Sequence, residues 1–326
     1  MTETKARFHL PGLRYNFPLN MLWISLLKTH PEFFREGVEI GSVFGCFPLS
    51  LWNGGRSTGN DQCDAGFVRS VIKNINSAGI PVRFTFNNPI VEEEDLDDPF
   101  CNFCMDEANN GMNEVIIVSP LLEEYLRKKY PDFEYNSSTC KEIKDIDTLN
   151  AEIDRNYKYV VLDYNLNGKW EFIDSVNHPE KLEILINPVC DPACPRRGEH
   201  YRTIAVNQKI VLHNRHLPPE KRKPAIPWKC DAGKFNSVYD IQKYPTVVKP
   251  DQIWEEYLPR GIVNFKIEGR TANILGLIDA YCLYMLRPEC IGPARLLLMR
   301  NLEESHVITV NKPKPQPFIL PNGKQY

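Results

Sequence analysis

The segment "NPVCDPACPRR" (187–197) carries some of the most reactive residue types in this chain. Cys190 and Cys194 lie among prolines with three residues between them, and Arg196 and Arg197 follow directly. Two thiols at this spacing suit a disulfide, a zinc clip or half of an iron–sulfur site. Which of these applies depends on the compartment and on the other cysteines that the fold brings to the same place.

The sequence predicts a cytoplasmic protein with reduced thiols. Its start, "MTETKARFHLPG", is polar and lacks the apolar stretch of a signal peptide, and no apolar run approaches the roughly 20 residues of a membrane span. Cytoplasmic cysteines rarely form disulfides, so metal ligation is the more specific prediction for several of the ten cysteines. Cys282, in the apolar run "LIDAYCLYML", is instead expected to be a core residue.

Composition is that of an ordinary globular protein. Apolar residues make up 42% of the 326 residues and charged residues 25%, with a net charge of −3. This balance gives no overall attraction to nucleic acid or to an anionic membrane, although a local basic patch remains compatible with it.

Short runs rich in β-branched and aromatic residues alternate with helical patterns along the chain. Several runs are almost continuously apolar, which is typical of parallel strands covered on both faces. The alternation predicts an α/β fold, a (β/α)8 TIM-like barrel in regular or distorted form, with an open doubly wound sheet as the alternative. The predicted strands are 13–18, 38–44, 81–87, 113–119, 133–139, 159–164, 182–188 and 262–268.

The domain prediction follows from the strand spacing. Residues 1–310 are expected to form a single barrel domain, and the proline-rich residues 311–326 a tail. Residues 189–261 separate the last two strands as a cysteine- and lysine-rich insertion, which we expect to lie over the barrel mouth. Long loops in compact domains usually serve a function.

In a barrel of this kind the active site lies at the carboxyl ends of the strands. That rule places Cys46, Cys190 and Cys194 at the mouth, with Cys230 in the insertion above it. Four thiols there could bind an iron–sulfur cluster, and zinc is the alternative because tetrahedral sulfur sites suit both metals. The pair "CNFC" (101–104) is a rival metal site with tighter spacing.

The same rule and the basic insertion supply candidate substrate contacts. Their polar or cationic side chains could hold a carboxylate, a phosphate or an RNA backbone, while the alternative for the insertion is a solvated basic loop. The predicted substrate-binding residues are Asn87, Ser138, Asp163, Arg196, Arg197 and His200.

The segment "KIEGR" (266–270) predicts the catalytic groups. Residues two apart in a strand share a face, so Lys266, Glu268 and Arg270 are expected to point together into the mouth. Three charges on one face of a core strand must pair or bind something, and a structural ion pair is the alternative. The sequence contains no GxSxG, HExxH or P-loop motif.

The stretch "GIVNFKIEGRT" resembles a segment of the collagenase-like peptidase family, which includes the anaerobic ubiquinone-hydroxylation and RNA-hydroxylation iron–sulfur proteins. The similarity extends over roughly residues 36–286, with "VEIGSVFGC" and "INSAGIPVRFTFNN" in the same order. It implies a barrel-like fold and a [4Fe–4S] cluster, with Cys46 at the early ligand position and Cys190, Cys194 and Cys230 in the later cysteine region. The family's usual HGxxCxxxSGxC-type segment is replaced here by "NPVCDPACPRRGEHY".

These observations support one leading functional hypothesis. The chain is expected to be an iron–sulfur enzyme that modifies a small anionic molecule or a nucleic-acid base. The resemblance implies that this modification is an oxygen-independent hydroxylation or a related reaction. Glu268 would act as acid or base, while Lys266 and Arg270 would hold the anionic group. The alternatives are a peptidase or hydrolase, and a cluster-bearing, non-catalytic partner of a second protein from the same family.

Overall fold

The computed structural model describes residues 5–55, 63–230, 237–269 and 273–309. Its centre is a closed barrel of eight parallel strands in chain order. Arg7, Phe8 and His9 of the first strand pair with Asn264, Phe265 and Lys266 of the last, so the sheet has no free edge. The barrel prediction is therefore confirmed, and the open doubly wound sheet is excluded. The strands are β1 (Ala6–Pro11), β2 (Val38–Gly45), β3 (Val82–Phe86), β4 (Glu114–Ile117), β5 (Glu134–Ser137), β6 (Tyr159–Val161), β7 (Leu182–Leu185) and β8 (Asn264–Lys266).

Seven of the predicted strands overlap observed ones, but the first prediction, 13–18, was wrong. The first strand ends at Pro11, and Gly12 follows with a φ of 89°, a backbone conformation that suits glycine. Residues 13–16 then lead into a helix that begins at Phe17, with Pro18 in its first turn, where a missing N–H costs nothing.

Helices cover the outside of the barrel. Several begin at a side-chain cap, as at Asp64, Ser119 and Asp145, where the side-chain oxygen accepts a backbone N–H of the first turn. The helices are α1 (Phe17–Thr29), α2 (Ala65–Ser77), α3 (Pro99–Ala108), α4 (Pro120–Lys129), α5 (Ile146–Ile153), α6 (Trp170–Ile173), α7 (Arg197–Asn214), α8 (Val238–Ile241), α9 (Pro250–Gln252), α10 (Ile274–Met285) and α11 (Ile291–Glu304).

The longest of these helices, α7, lies in the insertion and was not predicted. Its buried residues are Arg197, Ala205 and Gln208, so it lacks the broad apolar stripe by which a surface helix is recognised. It packs closely on the loop after β2, because a Cβ at Gly55 would lie 2.7 Å from the carbonyl oxygen of Ile204. A glycine with a φ of 101° permits this approach.

The strands are buried on both faces, but the two faces differ in chemistry. In β3, Phe84 and Phe86 belong to the apolar core, whereas Arg83, which precedes Phe84 and lies on the opposite face of the strand, is fully buried among charged and polar groups inside the barrel. A TIM barrel interior is usually filled by apolar side chains. This one carries a charged network, which reaches the candidate site described below.

Cys282 lies in the buried face of α10, as expected of a core residue. Arg270 and the tail 311–326 lie outside the described residues. Within the described ranges, no helix is both long enough and apolar enough to span a membrane.

Candidate active site at the barrel mouth

A pocket of about 390 Å³ lies at the carboxyl end of the barrel. Its walls come from the ends of the strands, from the loops that follow them, and from α7, which covers the mouth. This volume suits a small organic molecule. The polar and thiol-bearing residues that line it are Thr85, Asn87, Ser138, Thr139, Cys140, Tyr164, Cys190, His200, Tyr201, Cys230, Lys266 and Glu268.

The pocket brings together many of the residues that the sequence predicted. Asn87, Ser138, Cys190, His200, Cys230, Lys266 and Glu268 all line it. Cys140, Tyr164 and Tyr201 line it as well but were not proposed as site residues. Cys140 and Tyr164 follow the ends of β5 and β6 closely, where the strand-end rule places both at the mouth, but neither was assigned a role. Tyr201 required knowledge of α7.

Asp163 and Arg197, predicted to bind substrate, are paired with each other and do not line the pocket. Their closest contact joins Arg197 Nη2 to Asp163 Oδ2 at 3.0 Å, and both side chains are almost fully buried. Nη2 also donates to the carbonyl oxygen of Thr139 at 2.9 Å, and the guanidinium lies 4.4 Å from the centre of the Tyr164 ring. Arg197 thus fixes the start of α7 to the ends of β5 and β6.

Arg196 and His200 hold the segment that follows α7. The His200 ring stacks on Trp228 with 4.9 Å between centroids and 5° between planes, while the Arg196 guanidinium lies 4.1 Å from the same indole. Arg196 also donates to the carbonyl oxygen of Lys229 at 3.2 Å. These contacts carry the chain back to the pocket, where Cys230 forms part of the wall.

Cys190 and Cys194 lie together at a tight turn. Ala193 adopts a φ of 54° and donates its backbone N–H to Asn165 Oδ1 at 2.7 Å, and Cys194 donates to the carbonyl oxygen of Asp191 at 3.3 Å. Burial raises the pKa of the Cys190 thiol above its ordinary value, even though the neighbouring Tyr164 hydroxyl opposes this. Cys190 is therefore protonated at neutral pH.

Three further cysteines, Cys46, Cys101 and Cys104, belong to the buried core. The Sγ of Cys46 donates to the carbonyl oxygen of Thr85 at 3.1 Å, and Cys46 does not line the mouth pocket. Cys101 and Cys104 are buried in α3, and burial raises the pKa of each thiol well above its ordinary value. The rival pair "CNFC" therefore belongs to the core in this structure.

A four-cysteine metal centre does not fit this arrangement. Among the described residues, no group of three or more His, Cys, Asp or Glu side chains is placed to hold a metal ion. Cys46, Cys190, Cys194 and Cys230 therefore form no ligand group for an iron–sulfur cluster or zinc in this structure. The cluster stays a prediction of the sequence.

Lys266 connects the pocket to the charged interior of the barrel. Its Nζ lies 3.5 Å from Glu183 Oε1 and 4.5 Å from the centre of the Phe44 ring. The other oxygen of Glu183, Oε2, accepts a hydrogen bond from Arg83 Nη1. Because β3 and β7 stand on opposite sides of the barrel, the pair between Arg83 and Glu183 crosses the barrel axis.

The chain of charges continues away from the mouth. Arg83 Nε donates to Glu114 Oε2 at 2.6 Å, and Lys158 Nζ donates to Glu114 Oε1 at 2.7 Å. Lys158, Glu114, Arg83, Glu183 and Lys266 therefore form an alternating series of positive and negative groups through the barrel. Alternation satisfies each buried charge, which would otherwise be very costly to desolvate.

The pKa values of the interior groups follow from these contacts. Burial alone would raise the pKa of Glu183, but Arg83, His9 and Lys266 outweigh it and lower that pKa to about 2. Burial and the neighbouring Arg83 lower the pKa of His9 to about 3. At neutral pH Glu183 is ionised, and His9 is neutral with its Nδ1 2.8 Å from Ser42 Oγ.

Glu268 is held at the pocket by the segment after β7. Its Oε2 accepts the backbone N–H of Val189 at 3.0 Å, and its own backbone N–H donates to Asn187 Oδ1 at 2.6 Å. Asn187 Nδ2 donates in return to the carbonyl oxygen of Glu268 at 3.1 Å. These bonds give the carboxylate a defined place beside Cys190 and Lys266, all three of which line the pocket.

Comparisons with known proteins add little about the chemistry. No protein-family model matches the chain, and no curated protein matches its sequence. A solved structure of a U32 peptidase is similar in fold, with a TM-score of 0.48 and 13% sequence identity over 84% of this chain and 96% of that one. The resemblance to the collagenase-like peptidase family stays a prediction of the sequence.

Proposed function

We propose that this chain is an enzyme that binds a small organic acid in the mouth pocket and acts on it by proton transfer. The observation that carries the proposal is the convergence of Lys266 and Glu268 on one pocket of about 390 Å³ at the carboxyl end of the barrel. Catalytic groups of TIM barrels lie at this end. A cation and a carboxylate in one small cavity suit anion binding together with general acid or base chemistry.

Asn87 adds a requirement on the ligand. Its Oδ1 is buried and has no hydrogen-bond partner among the described residues, although the side chain lines the pocket. A buried acceptor is costly to leave without a donor. The proposed substrate carries an N–H or O–H group in addition to its anionic group, as a hydroxy acid or an amino acid does, and the proposal includes a turn of the Asn87 side chain that presents Oδ1 to this group.

In this proposal Lys266 binds the anionic group and Glu268 accepts or donates the proton. Cys190 is not the nucleophile, because burial raises the pKa of its thiol and keeps it protonated at neutral pH. A peptidase mechanism gains no support from the described residues, and neither does oxygen-independent hydroxylation, since the cysteines do not assemble a cluster site. A nucleic-acid base, RNA and a partner protein remain hypotheses from the sequence.

The test is calorimetric titration with acetate, lactate, malate and alanine. The wild type is expected to bind lactate or malate more tightly than acetate, because lactate and malate carry a hydroxyl group that can donate to Asn87 and acetate does not. Lys266→Met is expected to bind these acids with an affinity lower by about tenfold or more, since the substitution removes a charged hydrogen bond to the ligand. Lys158→Met is the matched control, because Lys158 lies at the other end of the same charge series and outside the pocket.

Glu268→Gln separates binding from chemistry. It is expected to keep binding, since the amide retains the shape of the side chain, but to lose proton transfer, measured as hydrogen–deuterium exchange at the α-carbon of the bound acid. If none of the four acids binds, or if Lys266→Met binds as well as the wild type, the proposal is wrong.

A further inference from the structure

We infer that Glu183, which does not itself line the pocket, is the positioning residue that holds the Lys266 ammonium group at the mouth. The inference rests on the proposed function in so far as Lys266 binds the substrate anion. It concerns an interaction that can also be measured without any ligand. It assigns a functional role to one carboxylate of the charged interior and a purely structural role to the other, Glu114.

The geometry separates the two oxygens of Glu183. Oε2 accepts from Arg83 Nη1 and lies 3.4 Å from His9 Nε2. Oε1 has no hydrogen-bond partner among the described residues, and Lys266 Nζ lies 3.5 Å from it. Arg83 therefore fixes the carboxylate in the plane that presents Oε1 to Lys266.

Burial makes this contact strong. The Glu183 side chain is fully buried, and the Lys266 side chain is only 10% exposed. A charge pair away from bulk water is screened far less than one at the surface. An ammonium group beside an ionised carboxylate keeps its proton more readily, and its position is set by that partner.

Other ionisable groups also face Lys266 or its surroundings. His9 on β1 and Arg83 on β3 belong to the interior, while Glu268, Cys190 and His200 line the pocket with Lys266. His9 is neutral at physiological pH and Arg83 carries a positive charge, which disfavours a second cation nearby. Within the barrel interior, the negative charge of Glu183 therefore counters the repulsion between Arg83 and Lys266.

Glu114 provides a matched control. It is buried to the same degree and also receives a hydrogen bond from Arg83, but its other oxygen contacts Lys158 at the opposite end of the series. Glu183→Gln and Glu114→Gln each remove the negative charge of one carboxylate that contacts Arg83. Only Glu183→Gln removes the carboxylate beside Lys266.

The experiment measures the reactivity of Lys266 with acetic anhydride as a function of pH, with mass spectrometry to identify the modified lysine. Only the neutral amine reacts, so the pH profile reports the ionisation of Lys266. Glu183→Gln is expected to raise the reactivity at neutral pH by about tenfold, which corresponds to one unit in pKa. Glu114→Gln is expected to leave the profile of Lys266 as in the wild type.

Equal profiles in Glu183→Gln and Glu114→Gln overturn the inference. If Glu183→Gln does not fold, Glu183→Asp keeps the charge on a side chain one methylene shorter. It is expected to raise the reactivity in the same direction by a smaller factor, and an unchanged profile overturns the inference equally. A shifted profile in a protein that binds none of the acids rejects the proposed function and leaves the positioning role of Glu183 standing.

Discussion

Arg83 and Glu183 pair across the axis of the barrel, joining strands that lie on opposite sides of it. Both side chains are fully buried, and the pair links the carboxylate of Glu114 to the ammonium group of Lys266 at the mouth. The barrel is thus held internally by ionic contacts where apolar layers are usual. This arrangement makes its stability sensitive to single charge changes and to acid.

Arg83→Met is expected to destabilise the protein by about 3–5 kcal/mol, because it leaves Glu114 and Glu183 buried without their shared partner. Urea unfolding measures the loss. Arg300→Met, which breaks the exposed pair with Glu304, is the control and is expected to leave the free energy of unfolding unchanged. A stable Arg83→Met protein would show that the interior network contributes little.

The low pKa of the buried His9 predicts that the folded protein loses stability in mild acid. Its pKa is about 3 in the folded protein against 6.5 unfolded, so the unfolded state binds the proton first. The contribution of neutral His9 is complete above pH 6.5 and falls as the pH drops, by up to about 1.4 kcal/mol per pH unit. Urea unfolding between pH 6.5 and 4.5 tests this, before Glu183 begins to titrate toward its folded pKa of about 2.

In His9→Gln this slope is expected to be shallower than in the wild type over the same pH range. His178→Gln, which changes an exposed histidine, is the control and is expected to keep the wild-type slope. Identical slopes in all three proteins would contradict the burial of a neutral His9.

Arg197→Ala is expected to loosen α7 over the mouth, because it removes both the ion pair with Asp163 and the bond to the Thr139 carbonyl. Amide hydrogen exchange in the first turns of α7 should become faster by roughly tenfold or more. Arg202→Ala, an exposed change on the same helix, should leave exchange unchanged. Equal exchange in the two variants would mean that Arg197 does not anchor the helix.

The iron–sulfur hypothesis from the sequence is tested by protein purified without oxygen. A [4Fe–4S] cluster predicts about four irons per chain and a brown colour. Cys46 donates a hydrogen bond to the carbonyl oxygen of Thr85 and does not line the pocket. We therefore expect Cys46→Ser to change the iron content no more than Cys282→Ser does. Iron present in the wild type and lost from Cys46→Ser alone would show that Cys46 is a ligand after all. Iron-free wild-type protein would reject the cluster.

The parts of the site that were predictable from sequence depend on local pattern. Alternating strands and helices predicted the barrel, and the rule that chemistry lies at strand ends placed Asn87, Ser138 and Cys190 at the mouth. The two-residue period of a strand placed Lys266 and Glu268 together. Each of these inferences needs only the order of residues within one short segment.

The first strand and α7 were missed because local signals were weak or misleading there. The run 13–18 carries Leu13, Tyr15 and Phe17 at alternate positions, as a strand does, but the turn at Gly12 and the proline at position 18 favour a helix start instead. In α7, charged and polar residues occupy most positions, and tertiary contacts such as that of Arg197 with Asp163 hold the helix in place.

The sequence alone therefore determined the class of fold and the strand-end residues that line the mouth, since short-range periodicity encodes both. Only the tertiary structure decided which of the distant side chains meet. Arg83 and Glu183 are 100 positions apart, and closure of the barrel brings them together. The position of α7 likewise pairs Arg197 with Asp163, although both were predicted to bind substrate, because a buried charge is stable only beside an opposite charge.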